Sequence, residues 1–358
     1  MTIFITLVAA AITCHQKNIL NQTMRCSKWV LKPILVSLLV LLNSACTNLR
    51  ASPTSDEVAT CAPRLPAGTM RPAWQKVGHN IWLHSGKPDA LSTPLNQGRI
   101  SNIVFVLEPS TSKNHGWLVG SGPDAATGRA LACSLQQSLG LTVTDVVSPR
   151  ASPESVLGAA GLPGVPHWAL PQVQAAMTER CARCLERLEI AVNTPTPLVP
   201  HVSLPDHLIQ GPKIGPFDVL HVEVQAQESV ALLYHRASDT WLLPGVVWGQ
   251  GLAPQLREAD ASQLLQILEG LSMLKPTRII PEQGEMGNGT LIMENINYWQ
   301  RLLGSVNERW QRGESQPGNA SGLLPFDVAS ESVDARLRDQ LNAQRAWQQV
   351  ENKGFDQP

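Results

Sequence analysis

Charge is the first thing this chain lacks. Its 358 residues carry 28 Lys and Arg against 29 Asp and Glu, a formal net charge of −1. With no basic run and no nucleic-acid-binding motif, there is no electrostatic case for a DNA or RNA partner. Tyrosine is scarce too, with two against ten tryptophans. Tryptophans in such excess are expected in the core or in lids. The chain has no internal repeat, no G-x-S-x-G elbow and no phosphate-cradling glycine loop; Gly284-Glu285-Met286-Gly287 does not make one. Of its nine histidines, no two stand at H-x-H or helical i, i+4 spacing. That removes the simplest zinc motifs. His201 and His207 flank a proline-containing loop and are the pair that a relocated metal would use.

What is present begins with a targeting region. From Met24 the chain reads Arg25, Lys28 and Lys32, then an apolar run over 34–42, then Asn43-Ser44-Ala45-Cys46. A positive stretch, an apolar stretch and small residues are the parts of a bacterial export signal. The run is short for a membrane span. Residues 1–46 are therefore expected to be an export signal starting at Met24. Cys46 is the candidate lipidation site, with simple cleavage and release as the alternative. Residues 47–72, rich in Ser, Thr, Pro and Ala, suit a flexible linker. Export places Cys61, Cys133, Cys181 and Cys184 in an oxidising compartment, where three pairings are open. Cys181-Ala182-Arg183-Cys184 falls inside a helical pattern over 172–188, not at a helix start, which argues against a redox thiol.

The folded part is expected over 73–312, followed by a loop and a C-terminal helix in 313–358. Strands are predicted over 77–84, 101–107, 116–120 and 142–147, with a helix over 125–139 before the last. Pro166 demotes 165–169 to an edge strand or a loop. Further strands are predicted over 219–224, 230–234, 240–243 and 278–281, and helices over 260–274, 298–311 and 332–350. In the last helix Val333, Leu337 and Leu341 form an i+4 stripe expected to dock on the domain. Strands at short spacing with interleaved helices indicate α/β layers.

The stretch Val147-Ser-Pro-Arg-Ala-Ser-Pro-Glu-Ser-Val-Leu-Gly158 follows a strand and leads to a helix. It resembles the H-x-H-x-D-H loop of the metallo-β-lactamase fold, with Arg150, Ser152, Glu154 and Ser155 at the four ligand positions. Gly120-Ser121-Gly122-Pro123 occupies the family's Asp-x-Gly turn, with Gly120 where the Asp that braces the loop would be. Gln225, Val246 and Gln283 fall on the later His, Asp and His positions. The resemblance covers about 77–285 and implies a four-layer αβ/βα sandwich. Asn96-Gln97-Gly98-Arg99-Ile100-Ser101-Asn102 and Leu341-Asn342-Ala343-Gln344-Arg345-Ala346-Trp347 are similar to an exported branch associated with quinoprotein and sulfur-oxidation systems.

At those positions only Glu154 is a ready zinc ligand, and Val246 cannot bridge a metal. Metal-dependent hydrolysis needs the ion to acidify water and polarise substrate. The expectation is thus a zinc-free, non-catalytic binding or accessory protein. Arg150, Ser152, Glu154, Ser155, Gln225, Val246 and Gln283 would form a former metal cleft for a small polar or anionic ligand. Arg150 is the natural carboxylate contact, and it is close enough in sequence to Glu154 to pair with it. The resemblance implies a periplasmic partner, a quinoprotein dehydrogenase or a cytochrome c, with membrane contact only through a lipid anchor. The alternative is a metallo-hydrolase-like enzyme with a relocated or non-standard site.

Overall fold

A computed structural model describes residue 61 and residues 72–87, 98–108, 114–192, 202–226, 228–256, 259–316 and 333–355. All lie in one compact unit, Val58–Pro358. The export signal, Cys46, most of the linker and His201 lie outside the described residues.

Two sheets face each other. The first has seven strands in sequence order: β1 (Gln75–Gly78), β2 (Ile81–His84), β3 (Ile103–Leu107), β4 (His115–Val119), β5 (Thr142–Val147), β6 (His167–Ala169) and β7 (His207–Leu208). β1 to β4 pair antiparallel and β4 to β7 parallel. The second sheet runs β12-β11-β10-β9-β8, from β8 (Lys213–Ile214), β9 (Phe217–Gln225), β10 (Glu228–His235), β11 (Thr240–Leu243) and β12 (Arg278–Pro281). Only its β11–β12 pair is parallel.

Alternation along the strands decides the layers. In β3, Val104 and Val106 face the second sheet, while Ile103 and Phe105 face outward. In β10, Ala231 and Leu233 join the inter-sheet core, while Val230, Leu232 and Tyr234 point outward. Both outer faces are apolar, so helices must cover both. α1 (Ala125–Leu139) covers the first sheet through Leu131 and Leu135. Its N-cap Asp124 accepts from Thr127 N and its C-cap Gly140 has φ 66°. α4 (Ala261–Met273), α5 (Gly289–Gln311) and α6 (Val333–Phe355) cover the second. The four-layer αβ/βα sandwich expected from the sequence is the observed architecture.

Several elements differ from expectation. The strand expected over 77–84 is the hairpin β1–β2, turned at Asn80, which adopts φ 58°. Asparagine tolerates that left-handed conformation. β6 is internal, paired to both β5 and β7. Pro166 immediately precedes it, so its missing N–H costs no ladder bond, and its carbonyl accepts from Val146 N. α5 begins at Gly289, nine residues earlier than predicted, because the Asn288 side chain caps it by accepting from Thr290 N. α6 docks on the domain as expected, but through Ala343, Ala346 and Trp347, all at most 1% exposed. Leu337 and Leu341, from the predicted stripe, face solvent instead. Of the cysteines, Cys61 and Cys133 form a disulfide, and Cys181 is buried on α3 (Pro171–Val192). The tryptophans largely follow expectation, with Trp248, Trp299 and Trp347 fully buried in the core.

The sheets bring the C-terminal ends of β4, β5, β11 and β12 to one edge. Gly120 N donates to Val147 O, Ala231 N to Pro149 O and Asn102 N to Glu282 O. The loops after those strands therefore meet.

Candidate functional site: a cleft closed by an ion pair

The loop after β5 leads through Ser152 into one short helical turn, α2 (Pro153–Val156), and a 3-10 turn, Leu157–Gly161. Proline at the first helical position suits that start. Ser152 stands at the N-cap, yet its hydroxyl does not cap. It donates to Glu154 Oε2 at 2.6 Å and lies 3.1 Å from Glu282 Oε1. All three side chains are buried.

Arg150 pairs with Glu282, Nη1 to Oε2 at 3.2 Å, at 9% and 4% side-chain exposure. This corrects the expected pairing with Glu154, which takes the Ser152 hydroxyl instead. The guanidinium also lies over the turn after β11. Gly245 has φ +69°, and a Cβ built there would stand 2.5 Å from Arg150 Nη1. One side chain thus joins the β5 loop, the β11 turn and the β12 loop. Glu282 is held from behind by Asn102, whose Nδ2 donates to Pro281 O at 2.9 Å and Gly284 O at 2.8 Å. Ser121 braces the loop from the end of β4. Its backbone N–H (2.5 Å) and hydroxyl (3.1 Å) both reach Ser155 O.

The remaining predicted positions divide. Ser155 is buried in the loop, its hydroxyl donating to Ser152 O at 3.3 Å. Gln283 is 1% exposed, and its Oε1 has no hydrogen-bond partner among the described residues. Val246 is fully buried in the apolar core outside the second sheet. Gln225 ends β9, exposed and paired across the hairpin with Glu228. The structure therefore gathers Arg150, Ser152, Glu154 and Ser155 and leaves Gln225 and Val246 apart from them. Glu282, the neighbour of the predicted Gln283, is the residue that meets Arg150. A buried arginine needs an acid, and a carboxylate at a strand end on the same edge was the available signal.

Zinc does not fit these residues. Protein zinc is held by imidazole, thiolate and carboxylate. Here both carboxylates engage Arg150 or Ser152, and a guanidinium would stand beside the ion. Among the described residues no group of three or more His, Cys, Asp or Glu is placed to hold a metal. His207, one of the alternative pair, is half-exposed and bonds Asp206 at 2.9 Å. The cleft between Asn102, Gly120, Pro149, Ser155, Pro244 and Glu282 keeps a cavity of about 20 Å³, room for about one water.

One serine–histidine pair lies next to the cleft. Ser148 Oγ is 2.6 Å from His167 Nε2. Both are buried, at 0% and 3% exposure. Burial pushes the imidazole down to about 4 against a weaker opposing pull from Asp206. Among the described residues His167 Nδ1 has no partner, and none of them orients the ring as a general base requires.

No protein-family model matches the chain, and no curated protein does. Solved structures do. The metallo-β-lactamase FIM-1 from Pseudomonas aeruginosa, in its mono-zinc form, superposes with a TM-score of 0.51 at 12% identity, over 65% of this chain and 96% of its own. A metallo-β-lactamase from Pontibacter korlensis gives 0.50 at 15% identity, over 64% and 99%. One from Erythrobacter litoralis, with β-mercaptoethanol in the active site, gives 0.51 at 12%, over 65% and 97%. At such identities the likeness speaks to fold: the chain has the metallo-β-lactamase fold.

Proposed function

We propose that this metallo-β-lactamase-fold chain is an exported protein without a zinc centre, acting by binding as an accessory of a periplasmic quinoprotein or redox system. The observation that carries the reading is the Arg150–Glu282 pair. It puts a fixed positive charge where the resembling loop has its first histidine. A dication there would meet repulsion, and hydrolysis in this fold needs the ion to generate its nucleophile. The small cavity leaves little room for a ligand in the cleft, so binding falls to the outer surface, with a quinoprotein dehydrogenase or a cytochrome c as the expected partner. The Cys61–Cys133 disulfide supports an oxidising compartment. Lipidation at Cys46 would keep the protein at a membrane. Among the described residues no helix is long and apolar enough to span one.

Metal analysis of protein purified from the periplasm tests the reading, alongside turnover of a chromogenic cephalosporin and an aryl ester. Less than about 0.1 zinc per chain without turnover is expected, since such a site lacks the usual ligand set. Near-stoichiometric zinc with turnover overturns it. A second reading, a metal-free hydrolase, has the Ser148–His167 pair in its favour. It requires ester turnover that Ser148→Ala abolishes.

A further inference from the structure

A second cavity, about 270 Å³, lies on the helical side of the second sheet. Its walls are the loop from Gly249 to Pro254, the α5 face carrying Glu294 and Tyr298, and Asp339 of α6. It exceeds the engineered cavity of about 150 Å³ that holds benzene.

Asp339 gives the pocket its chemistry. Its side chain is buried, the residue being 6% exposed, and it forms no salt bridge with a cation among the described residues. Oδ1 accepts the Tyr298 hydroxyl at 2.9 Å. That hydroxyl accepts from Asn342 Nδ2 at 2.7 Å, and Asn342 also donates to Pro254 O at 2.5 Å and accepts from Leu256 N at 2.9 Å. The carboxylate is therefore fixed in place by a network that also holds the pocket's own loop. Burial pushes its pKa up, against the Tyr298 hydrogen bond, which pulls it down. A buried anion with only neutral donors is costly, and a cationic donor relieves that cost. The rim adds the exposed carboxylate of Glu294 and, opposing it, Arg301, whose Nε donates to Asn297 O. With two carboxylates against one guanidinium, the lining favours a cation over an anion. Leu252, Ala253 and Pro254 supply an apolar wall.

We propose that this pocket binds a small organic ammonium compound, its N–H groups on Asp339 and its hydrocarbon part against Leu252, Ala253 and Pro254. The inference stands apart from the cleft: zinc there would leave this pocket unchanged.

Benzylamine and its neutral counterpart benzyl alcohol serve as matched probes, titrated by calorimetry into the full-length protein. Saturable benzylamine binding is expected, with benzyl alcohol about tenfold weaker or more, the scale of one charge-assisted hydrogen bond. Asp339→Asn keeps an acceptor for Tyr298 while removing the charge, and should bring benzylamine down to the level of the alcohol. Glu294→Gln should change affinity by about threefold or less, as expected of an exposed charge. No saturable benzylamine binding, equal affinity for the two probes, or unchanged binding in Asp339→Asn overturns the proposal. Should that variant not fold, Ala253→Leu narrows the pocket from its loop wall, and undiminished benzylamine affinity there overturns it equally.

Discussion

Replacing Arg150 by methionine isolates the contact that closes the cleft. The side chain keeps much of its length over Gly245 and loses its charge. Among the described residues Glu282, 6% exposed, is then left without a cation, and its remaining side-chain hydrogen bond is to the Ser152 hydroxyl at 3.1 Å. Breaking a buried pair from one side costs about 3–5 kcal/mol, because the other charge stays buried and unpaired. For a domain of this size that lowers the melting temperature by roughly 10 °C. Glu282→Gln alone leaves the guanidinium buried and should also destabilise. The double variant Arg150→Met/Glu282→Gln removes both charges and keeps an acceptor for Ser152, so much of the loss should return. Urea unfolding of the wild type, both single variants and the double variant closes the cycle. A coupling of about 3 kcal/mol is expected, against at most about 1 kcal/mol for an exposed pair. Additivity within about 0.5 kcal/mol would refute the claim that this pair holds the three loops together.

Three further outcomes follow from other contacts. The Cys61–Cys133 disulfide closes a 72-residue separation; by chain entropy its loss in Cys133→Ser costs about 4 kcal/mol, readable as a drop in urea midpoint that a reductant reproduces in the wild type. His167 is held down to about 4 by burial, whereas an unfolded histidine titrates near about 6.5. Between those values the unfolded chain binds the proton and the folded chain does not, so stability is full above the unfolded pKa. It declines as pH falls toward about 4, by about 3 kcal/mol in all. Melts across that window should show the decline, and His167→Gln should flatten it. Asn102→Ala removes two buried donors to the β12 loop and the acceptor for Gly86 N, for a loss of about 2–4 kcal/mol measured by chemical denaturation.

Local pattern carried most of the fold. The strands over 142–147 and 278–281 and the helix over 125–139 were legible residue for residue, because alternation, turn residues and an Asp cap agreed there. The stripe Val333, Leu337 and Leu341 misled. In α6 the buried face is read from Ala343, Ala346 and Trp347, and two of those three are alanines, which a search for large aliphatics passes over. The cleft was half legible. The register that placed Arg150, Ser152, Glu154 and Ser155 together depends on one contiguous loop. Arg150's acid was not legible, because Glu282 follows the Ser152 it contacts by 130 positions, and nearness in sequence pointed to Glu154. Gln225 and Val246 were assigned by position in a motif. Their side chains answer to local demands instead, a hairpin end for Gln225 and an apolar core for Val246.

Arg150 ties several of these positions together. Here one guanidinium contacts the β12 loop through Glu282 and covers the β11 turn at Gly245. Gly245 is the enabling residue: any Cβ there would collide with the guanidinium, and its φ of +69° disfavours a side chain in any case. Val246 is fully buried among apolar side chains, where an unpaired carboxylate would be costly. Arg150, Gly245 and Glu282 thus act as one unit, and a histidine in place of Arg150 should destabilise the protein, because it leaves Glu282 buried without its guanidinium.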